Sequence, residues 1–210
     1  MRLLILCDFD GTLTEQDVTN LIWDNYIDPN WREIMLPPYR AGTSTTLDLM
    51  SGGYNSITAT AAELMEFVTP LVNHRIGFLN FHAQCKARGW PAYVVSCGLE
   101  FYIKPYLPEG MPLFCYGSEH KKSWQVFLPR DLDVRKDEDF KIYVLNKLKQ
   151  RHPGMPTVFI GDGRNDFPIA RQVDHVFAIK DSSLESLCKE AGVACTVVST
   201  FDEVGGKLMD

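Results

Sequence analysis

Two short runs of the chain place carboxylates where a metal ion or a phosphate could be held. The first is Asp8-Phe9-Asp10-Gly11-Thr12-Leu13-Thr14, with two acids at i and i+2. The second is Gly161-Asp162-Gly163-Arg164-Asn165-Asp166. Each follows a short apolar run, Leu3 to Cys7 and Thr157 to Ile160. Such runs read as strands buried on both faces of a parallel sheet. Both motifs then fall at the carboxyl ends of strands, the edge where open α/β sheets bind ligands. Gly11 lets the backbone turn sharply there. Taken singly, either motif could be a strand end and a turn with solvated acids. Together they bring four carboxylates to one edge, and like charges that close raise each other's pKa unless a cation intervenes. A set of hard oxygen ligands favours Mg²⁺.

Two further pieces suit phosphate. Ser96-Cys97-Gly98 follows the apolar run Ala92 to Val95, and a hydroxyl with exposed amides and a glycine makes an anion cradle. Lys141 stands at the start of a helix predicted over 140–148, behind Asp137, Glu138 and Asp139. A lysine there could reach a phosphate held between the carboxylates. Lys136 and Lys147 compete for that role.

These residues need a scaffold. Apolar runs at Leu3–Cys7, Ala92–Val95, Thr157–Ile160, Val176–Ile179 and Ala194–Val198 alternate with helical patterns at Ile76–Arg88, Phe140–Leu148 and Ser183–Ala191. That alternation predicts a doubly wound, Rossmann-like α/β domain with a parallel sheet. Glu15 to Asn73 breaks the rhythm. It reads as helices at Val18–Tyr26, Trp31–Tyr39, Thr46–Met50 and Ala59–Val68, a helical insertion directly after the first strand. The expected division is a core of 1–14 and 74–210 and a cap of 15–73. Leu113 to Leu128 reads as an edge strand and a hairpin.

With 210 residues and 45% apolar composition, the chain can bury a core without disulfide staples. The six cysteines form no C-x-x-C pair and no zinc spacing, so a reducing, cytoplasmic setting is expected. Met1 to Cys7 is too short for a signal peptide or a membrane span. The net charge of −6 argues against nucleic acid or an anionic membrane as partner. The oligomeric state is left open.

The D-F-D-G-T-L-T run, Ser96, Lys141 and G-D-G-R-N-D occur in the order of the four signatures of the haloacid dehalogenase superfamily, and the chain resembles that family from Asp8 to Asp166. The resemblance implies an aspartyl-phosphate chemistry on a small phosphomonoester. Asp8 matches the nucleophile. Asp10 matches the general acid/base, which lends its backbone carbonyl to the metal. Asp162 matches a direct Mg²⁺ ligand and Asp166 a further acid of the metal site. Ser96 matches the phosphate-binding hydroxyl, with Cys97, Gly98 and Asn165 beside it, and Lys141 the neutralising lysine. An acid at position 10 separates the family's phosphatases from its dehalogenases and ATPases.

The cap's place and size resemble the phosphoserine-phosphatase branch, which often has a substrate-binding acid where Asp17 stands. Asp17 is equally suited to cap the helix starting at Val18. Arg32, Arg40 and Arg75 are candidate cap arginines. The stretch from Pro29 to Gly42 resembles the enolphosphate phosphatases of methionine salvage, which act on 2-hydroxy-3-keto-5-methylthiopentenyl-1-phosphate. Gly161 to Pro168 is similar to phosphocholine and phosphoethanolamine phosphatases, but lacks their cysteine. These substrate classes stay open at this point, as does transfer of the phosphate to an alcohol. Trp23, Tyr26, Trp31 and Tyr39 read as cap core rather than a substrate cage.

Overall fold

The structure is a computed structural model and describes residues 2–135 and 139–209. Lys136, Asp137 and Glu138 lie outside the described residues. The strands are β1 (Leu4–Cys7), β2 (Ala92–Leu99), β3 (Leu113–His120), β4 (Trp124–Phe127), β5 (Thr157–Gly161), β6 (His175–Ile179) and β7 (Thr196–Val198). They form one sheet in the order β4-β3-β2-β1-β5-β6-β7. All are parallel except β4, which pairs antiparallel with β3 as the expected hairpin. β1 is buried at every position, as its unbroken apolar run requires.

The order fixes where a ligand can sit. From β1 the chain steps one way to β2 and β3, then returns to β5 on the other side of β1 and continues outward. The crossovers on either side of β1 diverge, and a crevice opens at the carboxyl ends of β1, β2 and β5.

Residues 15–73, after the β1 turn, carry four helices: α1 (Val18–Tyr26), α2 (Trp31–Arg40), α3 (Thr46–Asn55) and α4 (Ala61–Val68). Their starts are written in the sequence. Asp17 caps α1, and Thr45 with Asp48 and Thr60 with Glu63 form capping boxes on α3 and α4. Trp23 is buried between them, edge-on to Trp31 at 4.9 Å and to Tyr54 at 5.8 Å. A Cβ at Gly53 would collide with the Trp23 indole. The β3–β4 hairpin holds this unit from the core side. Trp124 Nε1 donates to the Ala59 carbonyl at 2.9 Å, and His120 Nε2 lies 3.0 Å from that of Thr58. Thr14 pairs with His74 where the chain leaves for these helices and returns.

The other helices are α5 (Phe78–Ala87), α6 (Glu100–Ile103), α7 (Phe140–Arg151), α8 (Phe167–Ala170), α9 (Ser183–Ala191) and α10 (Phe201–Met209). Two expectations need correction, and one helix went unread. The third helix runs on to Asn55, although Gly52 and Gly53 are poor helix formers, because Gly53 lets Trp23 pack against it. β2 does not stop at Val95; it continues through Ser96-Cys97-Gly98 with a register shift against β3. α10 was not legible, since Gly205 and Gly206 weaken its pattern; burial of Phe201 against Phe78 and Phe81 secures it. Among the described residues no helix is long and apolar enough to cross a membrane.

Candidate active site

β1–β5 pairing sets the two acidic motifs side by side, and the Asp8 amide donates to the Ile160 carbonyl at 2.9 Å. The chain then turns tightly through Phe9–Leu13, with Gly11 at φ +69°, a left-handed conformation that glycine adopts without strain. Arg75, one of the candidate cap arginines, fastens this turn. Its guanidinium donates to the Gly11 carbonyl at 2.6 Å and the Thr12 carbonyl at 2.8 Å.

Carboxylate oxygens of Asp8, Asp162 and Asp166 all lie within 4.8 Å of one another. Lys141 is buried among them at 1% exposure, 3.0 Å from Asp8 Oδ1 and hydrogen-bonded to Asp166 Oδ1. Lys147 is exposed, and Lys136 lies outside the described residues. The other oxygen of Asp166 accepts from the amides of Asp162 at 2.9 Å and Gly163 at 2.8 Å. Asp166 is thus held on both oxygens and braces the cluster from behind. Thr12 Oγ1 donates to Asp162 Oδ1 at 2.6 Å. This threonine was not singled out from the sequence, where it is one hydroxyl in a turn. Asp8 Oδ1 faces Lys141 without hydrogen-bond geometry, and is a buried acceptor with no donor.

The electrostatics follow from crowding. Burial, then Asp166, pushes the Asp8 carboxyl up to about 7. Burial with Asp166 and Asp8 raises Asp162 as well. Burial opposes the Lys141 ammonium, but Asp166 and Asp8 more than offset it and hold its pKa well above the usual lysine value. One ammonium among three carboxyls is a donor set of hard oxygens suited to a small divalent cation, which would displace the protons that crowding favours.

A cavity of about 340 Å³ opens over this cluster. The core contributes Asp8, Asp10, Ser96, Cys97, Gly98 and Asp162. Asn165 and Arg164 line it from the second acidic loop. The helical insertion contributes Asp17, Asn20, Arg32 and Arg40 as polar groups and Trp23, Trp31, Leu36, Leu49 and Met50 as an apolar wall. The expectation that Trp23, Trp31 and Tyr39 belong only to the cap core is therefore incomplete: they also line this cavity. Tyr26 does not, and packs against Phe67. Ser96 is buried, and its hydroxyl accepts from the Gly98 amide at 3.0 Å. Burial pushes the Cys97 thiol up to about 12, so it is protonated at neutral pH. Asp17 Oδ1 accepts from the Asn20 amide at 2.7 Å, capping α1, and the residue also lines the cavity. Arg32 is paired with Asp24 and stacked over Trp31.

The model of the haloacid dehalogenase-like hydrolase family matches residues 5–171. The chain belongs to this family. Among curated members of known name it is 30% identical to the 2-hydroxy-3-keto-5-methylthiopentenyl-1-phosphate phosphatase of Geobacillus kaustophilus, over 97% of this chain and 94% of that one. It is 29% identical to the phosphatase of the same name from Exiguobacterium sibiricum, over 97% and 95%. This haloacid dehalogenase-like hydrolase also shares its fold with a phospho-aspartyl intermediate analogue of phosphoserine phosphatase, at TM-score 0.75, 18% identity and 98% coverage of both chains. A substrate-bound phosphoserine phosphatase complex aligns at TM-score 0.74 and 17% identity, over 99% of this chain and 98% of that one.

Proposed function

We propose that this hydrolase removes phosphate from a small enol phosphate, of the kind its curated relatives are named for, through a covalent phosphate on Asp8. The observation that carries the reading is the placement of Asp8. Its carboxylate is buried at the end of β1, beside a buried ammonium and at the floor of a cavity walled by the helices of 15–73. We take those residues as a cap and the remainder as the catalytic core.

An oxygen of Asp8 attacks phosphorus and the bond to the leaving oxygen breaks. Asp10 gives its proton to that oxygen. Water then attacks the aspartyl-phosphate, Asp10 takes a proton from it, and inorganic phosphate leaves with the Asp8 carboxylate restored. Ser96, the Cys97 amide, Asn165 and Lys141 hold the phosphoryl oxygens and oppose their charge, with the Gly98 amide orienting the Ser96 hydroxyl. Asp8, Asp162, the Asp10 carbonyl and the bracing Asp166 suit Mg²⁺, which when bound offsets negative charge on the transferring group. The apolar wall of Trp31, Leu36, Leu49 and Met50 suits a leaving group with an aliphatic tail, and Asp17, Asn20 and Arg40 suit its polar end.

The test is kcat/KM with Mg²⁺ over a panel holding the named enol phosphate, phosphoserine, phosphocholine and 4-nitrophenyl phosphate. The enol phosphate should lead by at least about tenfold, since a buried apolar contact contributes roughly 1–3 kcal/mol of discrimination. A lead by phosphoserine or phosphocholine would overturn the substrate. In the same panel, Asp17→Ala should change the ranking of substrates as well as cost about 1 kcal/mol as a lost helix cap. An unchanged ranking with a lower Tm would leave Asp17 a cap alone.

The raised carboxyls give a pH dependence for metal binding. The folded-state value of Asp8, about 7, lies above its ordinary 3.8. Protonation therefore stabilises the metal-free fold fully below the ordinary carboxylate range, and that contribution is lost as pH rises through about 7. Mg²⁺ competes with protons for the same oxygens. At about 100 times Kd it should raise Tm by roughly 5–10 °C near pH 8, and by much less near pH 5.5. Equal shifts at both pH values would refute this account of the cluster.

A further inference from the structure

Both carboxylate oxygens of Asp10 are held by groups outside the Asp8–Asp162–Asp166 cluster. One carboxylate oxygen accepts from the Val18 amide at 2.9 Å, at the start of α1. The other accepts from the Tyr102 hydroxyl at 2.7 Å. Tyr102 lies on α6, just past the Ser96–Gly98 loop, and is fully buried. Its hydroxyl is 2.8 Å from Thr19 Oγ1, which in turn is 3.5 Å from the Tyr54 hydroxyl. Thr19 stands on α1 and Tyr54 on α3, both buried.

Proton counting gives this series one direction. An ionised carboxylate only accepts, and each hydroxyl has one proton to give. Once Asp10 has given its proton to the leaving oxygen and is ionised, Tyr102 must spend its own proton on it. Its oxygen is then free to accept from Thr19, and Thr19 from Tyr54. The core is shaped around this pair. A Cβ at Gly98 would collide with the Tyr102 hydroxyl and come within 2.8 Å of Asp10 Oδ2. The glycine of the phosphate cradle thus leaves the room in which Tyr102 and Asp10 meet.

We propose that Tyr102 is a positioning residue for Asp10, and that the hydroxyl series through Thr19 to Tyr54 ties that positioning to the docked cap. The inference rests on Asp10 being the group that protonates the leaving oxygen. With the Val18 amide on one oxygen and Tyr102 on the other, the carboxyl is fixed in azimuth, and its remaining lone pairs are the ones that can carry the transferred proton. The cap supplies Val18 and Thr19 to this arrangement, so Asp10 is fully oriented only when the helices of 15–73 are seated. A purely packing role is the competing account, because the Tyr102 ring also sits edge-on to Phe101 at 5.3 Å and against Phe9 at 6.0 Å.

The experiment measures kcat/KM for aryl phosphates of increasing leaving-group pKa, from 4-nitrophenyl to phenyl phosphate, with Mg²⁺. Good leaving groups need no proton and poor ones do. Tyr102→Phe should lower kcat/KM for phenyl phosphate by roughly 10–100-fold and that for 4-nitrophenyl phosphate far less, with inhibition by inorganic phosphate unchanged. The dependence on leaving-group pKa should steepen in the order wild type, Thr19→Val, Tyr102→Phe, Asp10→Asn. A Tyr102→Phe line parallel to wild type, with Asp10→Asn steep, would overturn the proposal and leave the role of Asp10 intact. An Asp10→Asn line parallel to wild type would overturn both. If Tyr102→Phe fails to fold, Thr19→Val decides by the same criterion: a steeper line supports the proposal and a parallel one refutes it.

Discussion

Asp8→Asn should abolish turnover while leaving the fold in place. The amide is nearly isosteric with the carboxylate, and Asp8 is fixed by its backbone pairing to Ile160 as well as by its side chain. What is lost is the nucleophile. An amide does not form the acyl-phosphate, so kcat should fall by roughly 10⁴-fold or more. The cost in stability should be small. The substitution removes a carboxylate that burial and Asp166 already push up to about 7, and Lys141 keeps its contact with Asp166. Steady-state rates, thermal denaturation and an intact mass that excludes deamidation check this together. Turnover within about tenfold of wild type, with the asparagine verified, would remove Asp8 from the role of nucleophile.

The second large effect is expected at Lys141, in stability as well as rate. Lys141→Met keeps the length of the side chain and removes its charge. Asp8 and Asp166, both buried, would then face each other without their ammonium. Removing one partner of a buried ion pair costs about 3–5 kcal/mol, which for a chain of this size lowers Tm by roughly 6–20 °C. The loss should grow with pH. Without the cation the Asp8 carboxyl rises further above its unfolded value, so protonation rescues the fold below the ordinary carboxylate range and the rescue fades as Asp8 ionises. The variant should therefore lie nearer wild type at about pH 5 than at about pH 8 when metal is left out. Saturating Mg²⁺ should recover part of the stability at the higher pH and little of the activity, because a lysine on the phosphoryl oxygens is not replaced. A Tm unchanged at both pH values would mean that the buried ion pair does not contribute to the fold.

The nature of the enzyme was legible because its chemistry sits in contiguous runs. Asp8 and Asp10 share one turn, and Asp162 and Asp166 share another. Each run follows an apolar strand whose burial on both faces is dictated by composition. The helix starts at Val18 and Thr46 were legible for the same local reason, with Asp17 and Thr45 carrying capping oxygens in reach of their own backbone, whereas the helix expected from Ala59 starts at Ala61 under the Thr60 cap. Helix ends were less so. α3 passes through Gly52 and Gly53 because a partner, Trp23, needs the space, and local propensity carries no record of a partner far along the chain.

The sequence alone determined the parallel α/β core, the helical insertion after β1 and the acids that face one another. Tertiary structure decided what those acids touch. Lys141 was one of three lysines until burial beside Asp8 and Asp166 distinguished it from the exposed Lys147. Arg75 was a candidate cap arginine until its guanidinium was found on the Gly11 and Thr12 carbonyls. Thr12 and Tyr102 were ordinary residues in the linear text, and became partners of Asp162 and Asp10 only across 150 and 92 positions. The physical reason is the same in each case. Residue type and spacing fix what a segment can bury and which groups it can offer, but a hydrogen bond between distant segments depends on the sheet order and register that bring them together.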